Sequence, residues 1–401
     1  MKTPFPLLPG PARRGGRLSL LAAALAGACA LLHAQGFNAG SNGSLGAVVI
    51  ETNTVIELPP DGILHYQSLT VNAGATVTFQ RNVRNTPVFI LSQGDVVVDG
   101  TINVSGGAPS QHTGGRGGPG GFDGGKPGNG PELPPGAGYG PGGGRAGDNE
   151  CNTPGVSSAG GSYATFGRAA TNGIYGDKFL INLIGGSGGG GSSSNTGHGG
   201  SGGGGAILIA ANTRIAVNGT ILARGGFTFG CANAGSGGAI RLVAFRVEGN
   251  GALNASGGGS GNFGASANVG GAGRIRVDTI ERDNLNFSTP GSSFTAGGNL
   301  IALPPVAARL ATIEAAGNTV AEGSGPVTFI LPFGSSPERT VKVQARDFGR
   351  NVPILVTLTP DSGSPVTVEA EVDNTTVNPA VVEVPVTLPV NTLVTVHAWT
   401  R

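Results

Sequence analysis

Asp95 and Asp99 bracket Val96-Val97-Val98, and Arg214, Arg241, Arg246, Arg274 and Arg276 recur in comparable settings further along the chain. If Val96 and Val98 point to one side of a strand, Asp95, Val97 and Asp99 face the other, because side chains alternate along extended backbone. A pair of carboxylates on one face suits acid/base cleavage of a glycosidic bond, and residues two apart on a strand are separated by about 7 Å. By the same register Arg214, Asn218, Arg241, Arg246, Asn250, Arg274, Arg276 and Asp278 stand outside. Against catalysis, Asp99, Asn218 and Asn250 each precede a glycine and are already explained as corner residues. The outward positions also change from copy to copy, and nothing in the sequence desolvates Asp95 or Asp99. No catalytic residue is therefore expected, with Asp95 and Asp99 as the alternative pair; the candidate contact residues are Arg214, Arg241 and Arg276, with the aromatic Phe122 and Tyr139.

Other chemistries find less support. His65, His112, His198 and His397 lack metal-ligand spacing, so no metal is expected. No Gly-x-Gly-x-Asp series recurs to bind calcium. Gly186–Gly205 resembles a phosphate loop only in its glycines, since no Lys-Ser/Thr follows, which excludes a nucleotide. Ser192-Ser193-Ser194 has no nucleophile-elbow context. Thr101 and Thr220 begin a threonine ladder of the kind that binds ice, and Ala252 breaks it. No cofactor is implied.

The elements that must position these residues are repeated. Gly205-Ala206-Ile207-Leu208-Ile209 is answered by Gly238-Ala239-Ile240-Arg241-Leu242 at an offset of 33, and Asn218-Gly219-Thr220-Ile221 by Asn250-Gly251-Ala252-Leu253 at an offset of 32. Periods of this size signal stacked repeats. Within the two copies Ile207, Ile209, Ile215, Val217, Ile221 and Ala223 share one parity with Ile240, Leu242, Phe245, Val247, Leu253 and Ala255. Three short strands per copy follow, each with one face inward. The Asn-Gly corners predict tight turns through positive φ. Val88–Gly107 is an earlier copy and Gly273–Val277 a fragment of a later one. A single copy cannot bury its own apolar face, whereas stacked copies can. The expected fold is all-β: a right-handed parallel β-helix (β-solenoid) with three long sheets and a long Gly-rich insertion, followed by an Ig/fibronectin-like β-sandwich.

Residues 1–34 read as a signal peptide, with Lys2, Arg13, Arg14 and Arg17 ahead of the apolar run Leu18–Leu32. Its removal takes the formal charge from +1 to −3, which offers no basic footprint for nucleic acid and leaves no transmembrane segment in the mature chain. Residues 35–62 are expected to cap the solenoid and residues 63–287 to form it. The insertion at 106–205 holds 38 of the 76 glycines, so it is either low-complexity disorder or ordered, extended backbone packed on the solenoid. Tyr163, Phe166, Ile174, Tyr175, Phe179, Leu180, Ile181, Leu183 and Ile184 are its candidate anchors. A linker at 288–305 leads to the β-sandwich module at 306–401, where strand-like runs alternate with turn residues. Trp399 on the last run reads as a packing residue ahead of a sugar platform. Cys151 and Cys231 are the expected disulfide of an exported chain, with two unpaired thiols as the alternative.

Pro59-Pro60-Asp61-Gly62, Gly94–Ile102, Gly120-Gly121-Phe122-Asp123-Gly124-Gly125, Leu183–Gly189 and Gly270–Arg276 follow one another in an order similar to that of a group of secreted glycine-rich bacterial proteins. The resemblance spans about residues 45–280 and implies the fold and export, with no activity. Together these features lead to the expectation of a non-enzymatic structural or adhesive protein, secreted to the extracellular space or cell surface of a bacterium. Its expected partners are an extracellular glycan or other copies of itself. A polysaccharide-active lyase or hydrolase is the alternative.

Overall fold

The computed structural model describes residues 37–110, 112–128, 133–147, 157–170, 173–193, 198–228, 232–259, 270–282, 284–304, 306, 308–324 and 327–400. Asn38–Arg401 form one compact unit. The described residues are all-β, with no helix, in four sheets. The expected signal peptide and both expected disulfide cysteines, Cys151 and Cys231, lie outside the described residues.

The first two sheets are wholly parallel and resolve into three ribbons. One ribbon contains Ile63–Tyr66, Val88–Ser92, the start of Ala206–Val217, the start of Ala239–Glu248, Arg274–Asp278 and Ser293–Gly297. A second contains Ala47–Ile50, Ser68–Val71, Val96–Val98 and the ends of the two long strands. The third stacks Thr54–Glu57, Thr76–Gln80, Thr101–Asn103, Thr220–Leu222 and Ala252–Asn254. The first two ribbons count as one sheet because Ala206–Val217 and Ala239–Glu248 run unbroken round the corner between them.

Alternation places one apolar column per ribbon inside. Val88, Ile207, Ile240 and Ile275 stack in register, as do Val96, Ile215 and Val247, and Ile102, Ile221 and Leu253. All are buried in one core. Fully burying each such side chain contributes about 1.5–3 kcal/mol. Leu285 and Phe287 pack against the far end of this core.

Three expectations need correction. Phe245 is 42% exposed rather than inward, because Ala244 and Val247 take the inner positions and Phe245 and Arg246 turn the corner. The ladder shifts register there, with Ala211 opposite Ala244 but Arg214 opposite Arg246. That shift is the change of offset from 33 to 32. It leaves the Val247 N–H to donate to Thr279 Oγ1 at 3.1 Å, while the Thr279 hydroxyl donates to the Phe245 carbonyl at 2.9 Å. Second, the corner glycines Gly100, Gly219 and Gly251 are absent from the residues of positive φ. They are required by close approach, since a Cβ on Gly219 would overlap the Gly100 carbonyl oxygen and one on Gly251 the Gly219 carbonyl oxygen. Third, the stretch expected as a linker holds the strand Ser293–Gly297, paired with Arg274–Asp278.

The described part of the glycine-rich insertion is ordered packing. Extended segments lie side by side and hydrogen-bond laterally: Gly124 N–H donates to Gly115 O, Gly115 to Gly200, Gly200 to Gly125 and Gly125 to Gly189, at 2.8–2.9 Å. Backbone of this kind makes no internal hydrogen bonds, so its N–H groups are free to bond sideways. The loops 223–228, 232–238, 255–259 and 270–273 join the same lattice through bonds such as Gly226 to Gly202 and Gly258 to Gly235. The lattice therefore reaches beyond the boundary 106–205 read from composition. A methyl at Gly124 or Gly200 would overlap a neighbouring carbonyl. Tyr163 and Leu180 are fully buried with Ala206 and Ala239 on the outer face of the first ribbon, and Tyr175, Leu183 and Ile184 pack against them. Phe166, Ile174 and Phe179 remain exposed, at 57%, 48% and 44%.

The last body is two antiparallel four-stranded sheets. Asn318–Thr319, Arg309–Ala315, Glu338–Arg346 and Ala380–Thr387 form one, in that order, and Val327–Ile330, Leu393–Thr400, Asn351–Pro360 and Val366–Asp373 the other. Val341, Val343, Val352, Ile354, Val384 and Val394 from both sheets share one core. Arg309–Ala315 was not legible as a strand. This body contacts the lattice directly: Gly136 bridges Gly363, Gly363 N–H donates to Pro135 O, and Lys126 pairs with Asp361 at 3.2 Å.

Candidate functional site: a basic cleft between the glycine lattice and the antiparallel sheets

Where the antiparallel body meets the lattice, a cleft of about 790 Å³ opens. One wall is the turn 81–87 between Thr76–Gln80 and Val88–Ser92. The floor comes from Gly120–Asp123, Tyr139, Leu183 and Ile184. The opposite wall is Leu310–Thr312, Val320, Ala321, Gly323, Ser324 and Thr395–Ala398.

Local chemistry fixes the shape. Asn82 Nδ2 donates to Pro59 O at 2.6 Å and to Thr86 Oγ1 at 2.7 Å, closing the 81–87 turn. Asn85, at positive φ, ties that turn to the lattice by donating to Gly121 O at 2.7 Å and accepting from Gly120 N–H at 3.1 Å. Arg81 grips Asp123 with two nitrogens, at 2.6 and 3.2 Å, and the same carboxylate accepts the Gly117 N–H at 2.7 Å. Asp123 is thereby fully engaged in holding the floor.

Phe122 is the hinge pin of the junction. Its ring stands edge-on to Trp399 at 5.0 Å and to His397 at 6.3 Å, and His397 stacks on Trp399 at 4.9 Å. Trp399 Nε1 donates to Thr357 Oγ1 at 3.2 Å, so the indole is anchored within its own sheet. Burial among these rings pushes the His397 imidazole down to about 4, so it is neutral at pH 7. Burial raises the Tyr139 phenol, which remains protonated.

The charged residues lining the cleft are Arg81, Arg84, Arg116 and Asp123. Arg81 and Asp123 neutralise each other. Arg84 and Arg116 are exposed, and among the described residues neither side chain has a hydrogen bond or ion pair. The cleft carries a formal charge of +2 in a chain whose total is +1.

The residues singled out from sequence distribute unevenly. Phe122 and Tyr139 line this cleft. Arg214 lies on the outer face of the second ribbon, bridging Asp95 at 2.8 Å and Glu248 at 3.0 Å in a shallow trough that Asp99 and Asn218 also line. Asp95 further accepts from Thr213, and Asp99 from Asn218 at 2.8 Å. Both carboxylates are thus already engaged in bonds on a solvent-facing wall.

Arg241 and Arg276 are not on an exposed wall. Arg241 is completely buried, its Nη2 3.2 Å from the equally buried Asp278, and Arg276 donates to the other Asp278 oxygen at 2.6 Å. Phe179 lies over the Arg276 guanidinium at 5.3 Å, and the Asn299 N–H and C=O close the cluster. The insertion and the 295–299 segment cover the face that alternation turned outward.

Arg84 and Arg116 escaped the sequence reading because each sits in a turn or glycine stretch with no parity to follow. Among the described residues no three His, Cys, Asp or Glu side chains converge to hold a metal, and no helix is long and apolar enough to cross a membrane. In comparisons with known proteins, no family model, curated protein or solved structure matches the chain.

Proposed function

We propose that this is a secreted, non-enzymatic structural or adhesive protein that binds glycan in the cleft between its glycine lattice and its antiparallel body. The parallel ribbons are read as a right-handed β-helix and the antiparallel body as an Ig-like sandwich, the two rigid parts that hold the cleft walls. The observation that carries the reading is the cleft itself. It combines exposed guanidinia without partners, aromatic rings and apolar side chains, the mixture that small-ligand and sugar sites use to grip polar edges and apolar faces. The enzyme alternative loses ground because Asp95 and Asp99 are engaged in surface bonds.

The test is depletion of the purified protein from solution by a panel of insoluble polysaccharides, with supernatants assayed for released sugar. Depletion without release supports binding. Released sugar replaces the reading with an enzyme, and no depletion by any polymer removes glycan as the partner.

A further inference from the structure

Resting on that reading, we infer that the ligand of the cleft is an anionic polysaccharide, whose carboxylate or sulfate-ester groups are bound by Arg84 and Arg116 while Phe122, Leu183 and Ile184 meet the apolar faces of its sugar rings.

The charge inventory makes the argument. Among the described residues nine ion pairs place a guanidinium against a carboxylate, and they engage seven arginines. Arg84 and Arg116 lack such a partner, as the exposed Arg224 and Arg350 do, but these two line one cleft. Asp123, the single carboxylate of the lining, is held bidentate by Arg81 and by the Gly117 N–H, so it does not answer them. Exposed guanidinia lose little in water on their own, but two of them focused by low-dielectric walls raise the local concentration of an anion. Arginine's planar fork matches the two oxygens of a carboxylate or sulfate better than a lysine would.

Placement supports the same ligand. Arg84 belongs to the 81–87 turn and stands beside Gly323 of the opposite wall, so it overhangs the gap between the two bodies. Arg116 belongs to the lattice, on the segment whose neighbour Gly115 bonds to Gly200. The two cations come from separate elements, each braced by the Asn85 and Asp123 hydrogen bonds described above. An extended polymer with charges at intervals suits cations carried by separate elements.

The experiment measures affinity of the full chain for polygalacturonate, dextran sulfate and neutral dextran, at about 0.05 and about 0.5 M salt. Binding to at least one anionic polymer is expected to exceed binding to dextran by about tenfold or more and to fall steeply with salt. The double variant Arg84→Gln/Arg116→Gln is expected to lose that margin by about tenfold while keeping the parent's unfolding midpoint. Arg350→Gln, which removes an exposed cation outside the cleft, is expected to bind as the parent does. Polygalacturonate preferred over dextran sulfate assigns the group as carboxylate, and the reverse as sulfate ester. If dextran binds as well as the anionic polymers and the double variant is unaffected, the anionic assignment fails while glycan binding stands. If none of the polymers binds, both fail. An equal loss in Arg350→Gln would reduce the effect to net charge and overturn the site.

Discussion

Two outer walls of the parallel body carry the same sequence signature and meet opposite fates. On the second ribbon, Arg214 bridges Asp95 and Glu248 with its side chain 39% exposed. On the first ribbon, Arg241 and Arg276 bracket Asp278, and the Arg241–Asp278 pair is sealed from water. Each arginine was outward by alternation, and each has a carboxylate partner. What differs is the glycine lattice, which covers one wall and leaves the other open. Side-chain parity specifies which residues enter the interior of the parallel body; it says nothing about what is laid over its outside.

The largest contrast follows from the charges. Removing Asp278 strands two guanidinia away from water, and Arg241 Nη1 already lacks a partner. Burial lowers the Arg241 pKa and Asp278 opposes that shift, so its loss leaves the charged form unsupported. Asp278→Ala is expected to destabilise by about 3–5 kcal/mol, the cost of breaking a buried ion pair. Asp95→Ala, removing the same kind of partner from the open wall, is expected to cost less than about 1 kcal/mol. Denaturant unfolding of the two variants checks this directly, and equal losses would mean that the first wall is not sealed.

The cover itself is the next target. Gly124→Ala places a methyl against the Gly200 carbonyl oxygen, where backbone on both sides leaves no flexible side chain to yield. Overpacking of this sort costs about 1–3 kcal/mol. Gly173→Ala, in the same insertion but with nothing within 4 Å of the added methyl, is expected to stay within about 0.5 kcal/mol of the parent. If the lattice is what seals Arg241, Gly124→Ala should also speed hydrogen exchange at the Arg241 amide and leave that of Arg214 unchanged.

These contrasts show how much was legible beforehand. The inward columns of Ile207, Ile240, Ile221 and Leu253 could be read because period-2 alternation and the repeat offset both survive in the sequence. Even the corner irregularity was written there, as the change of offset from 33 to 32, although its consequence for Phe245 was not drawn. The strands of the last body were read from Val327 onward, and Arg309–Ala315 was missed because Thr312 and Ala311 soften its alternation. The lattice resisted for a different reason. Glycine has no side chain to mark an inside, so composition limited the insertion to two alternatives without saying which loops join it or which wall it covers. Without that, Arg241 and Arg276 read as exposed, and Arg84 and Arg116 had no pattern to draw attention to them. The cleft arises where the lattice meets the antiparallel body, and only its aromatic members, Phe122 and Tyr139, stood out from their glycine surroundings.

The lattice's other cover is smaller, at His397, and pH can probe it. Phe122 and Trp399 enclose the imidazole, and burial lowers its pKa from 6.5 to about 4. Between those values the unfolded chain binds the proton and the folded chain does not, so stability falls as pH drops from 6.5 towards 4 and is flat with respect to this group above 6.5. The expected loss is about 1–2 kcal/mol, less than the full shift implies because the ring keeps part of its surface in the cleft. Phe122→Ala opens the enclosure on the lattice side. It is expected to move the His397 pKa back towards 6.5, to flatten the stability profile over that range, and to lower stability at pH 7 through lost ring contacts. Titration of the His397 ring protons in the parent and in Phe122→Ala reads the pKa without relying on unfolding. An unchanged value would mean that the enclosure comes from the antiparallel sheet alone, and the lattice would then be a cover for one wall of the molecule rather than for two.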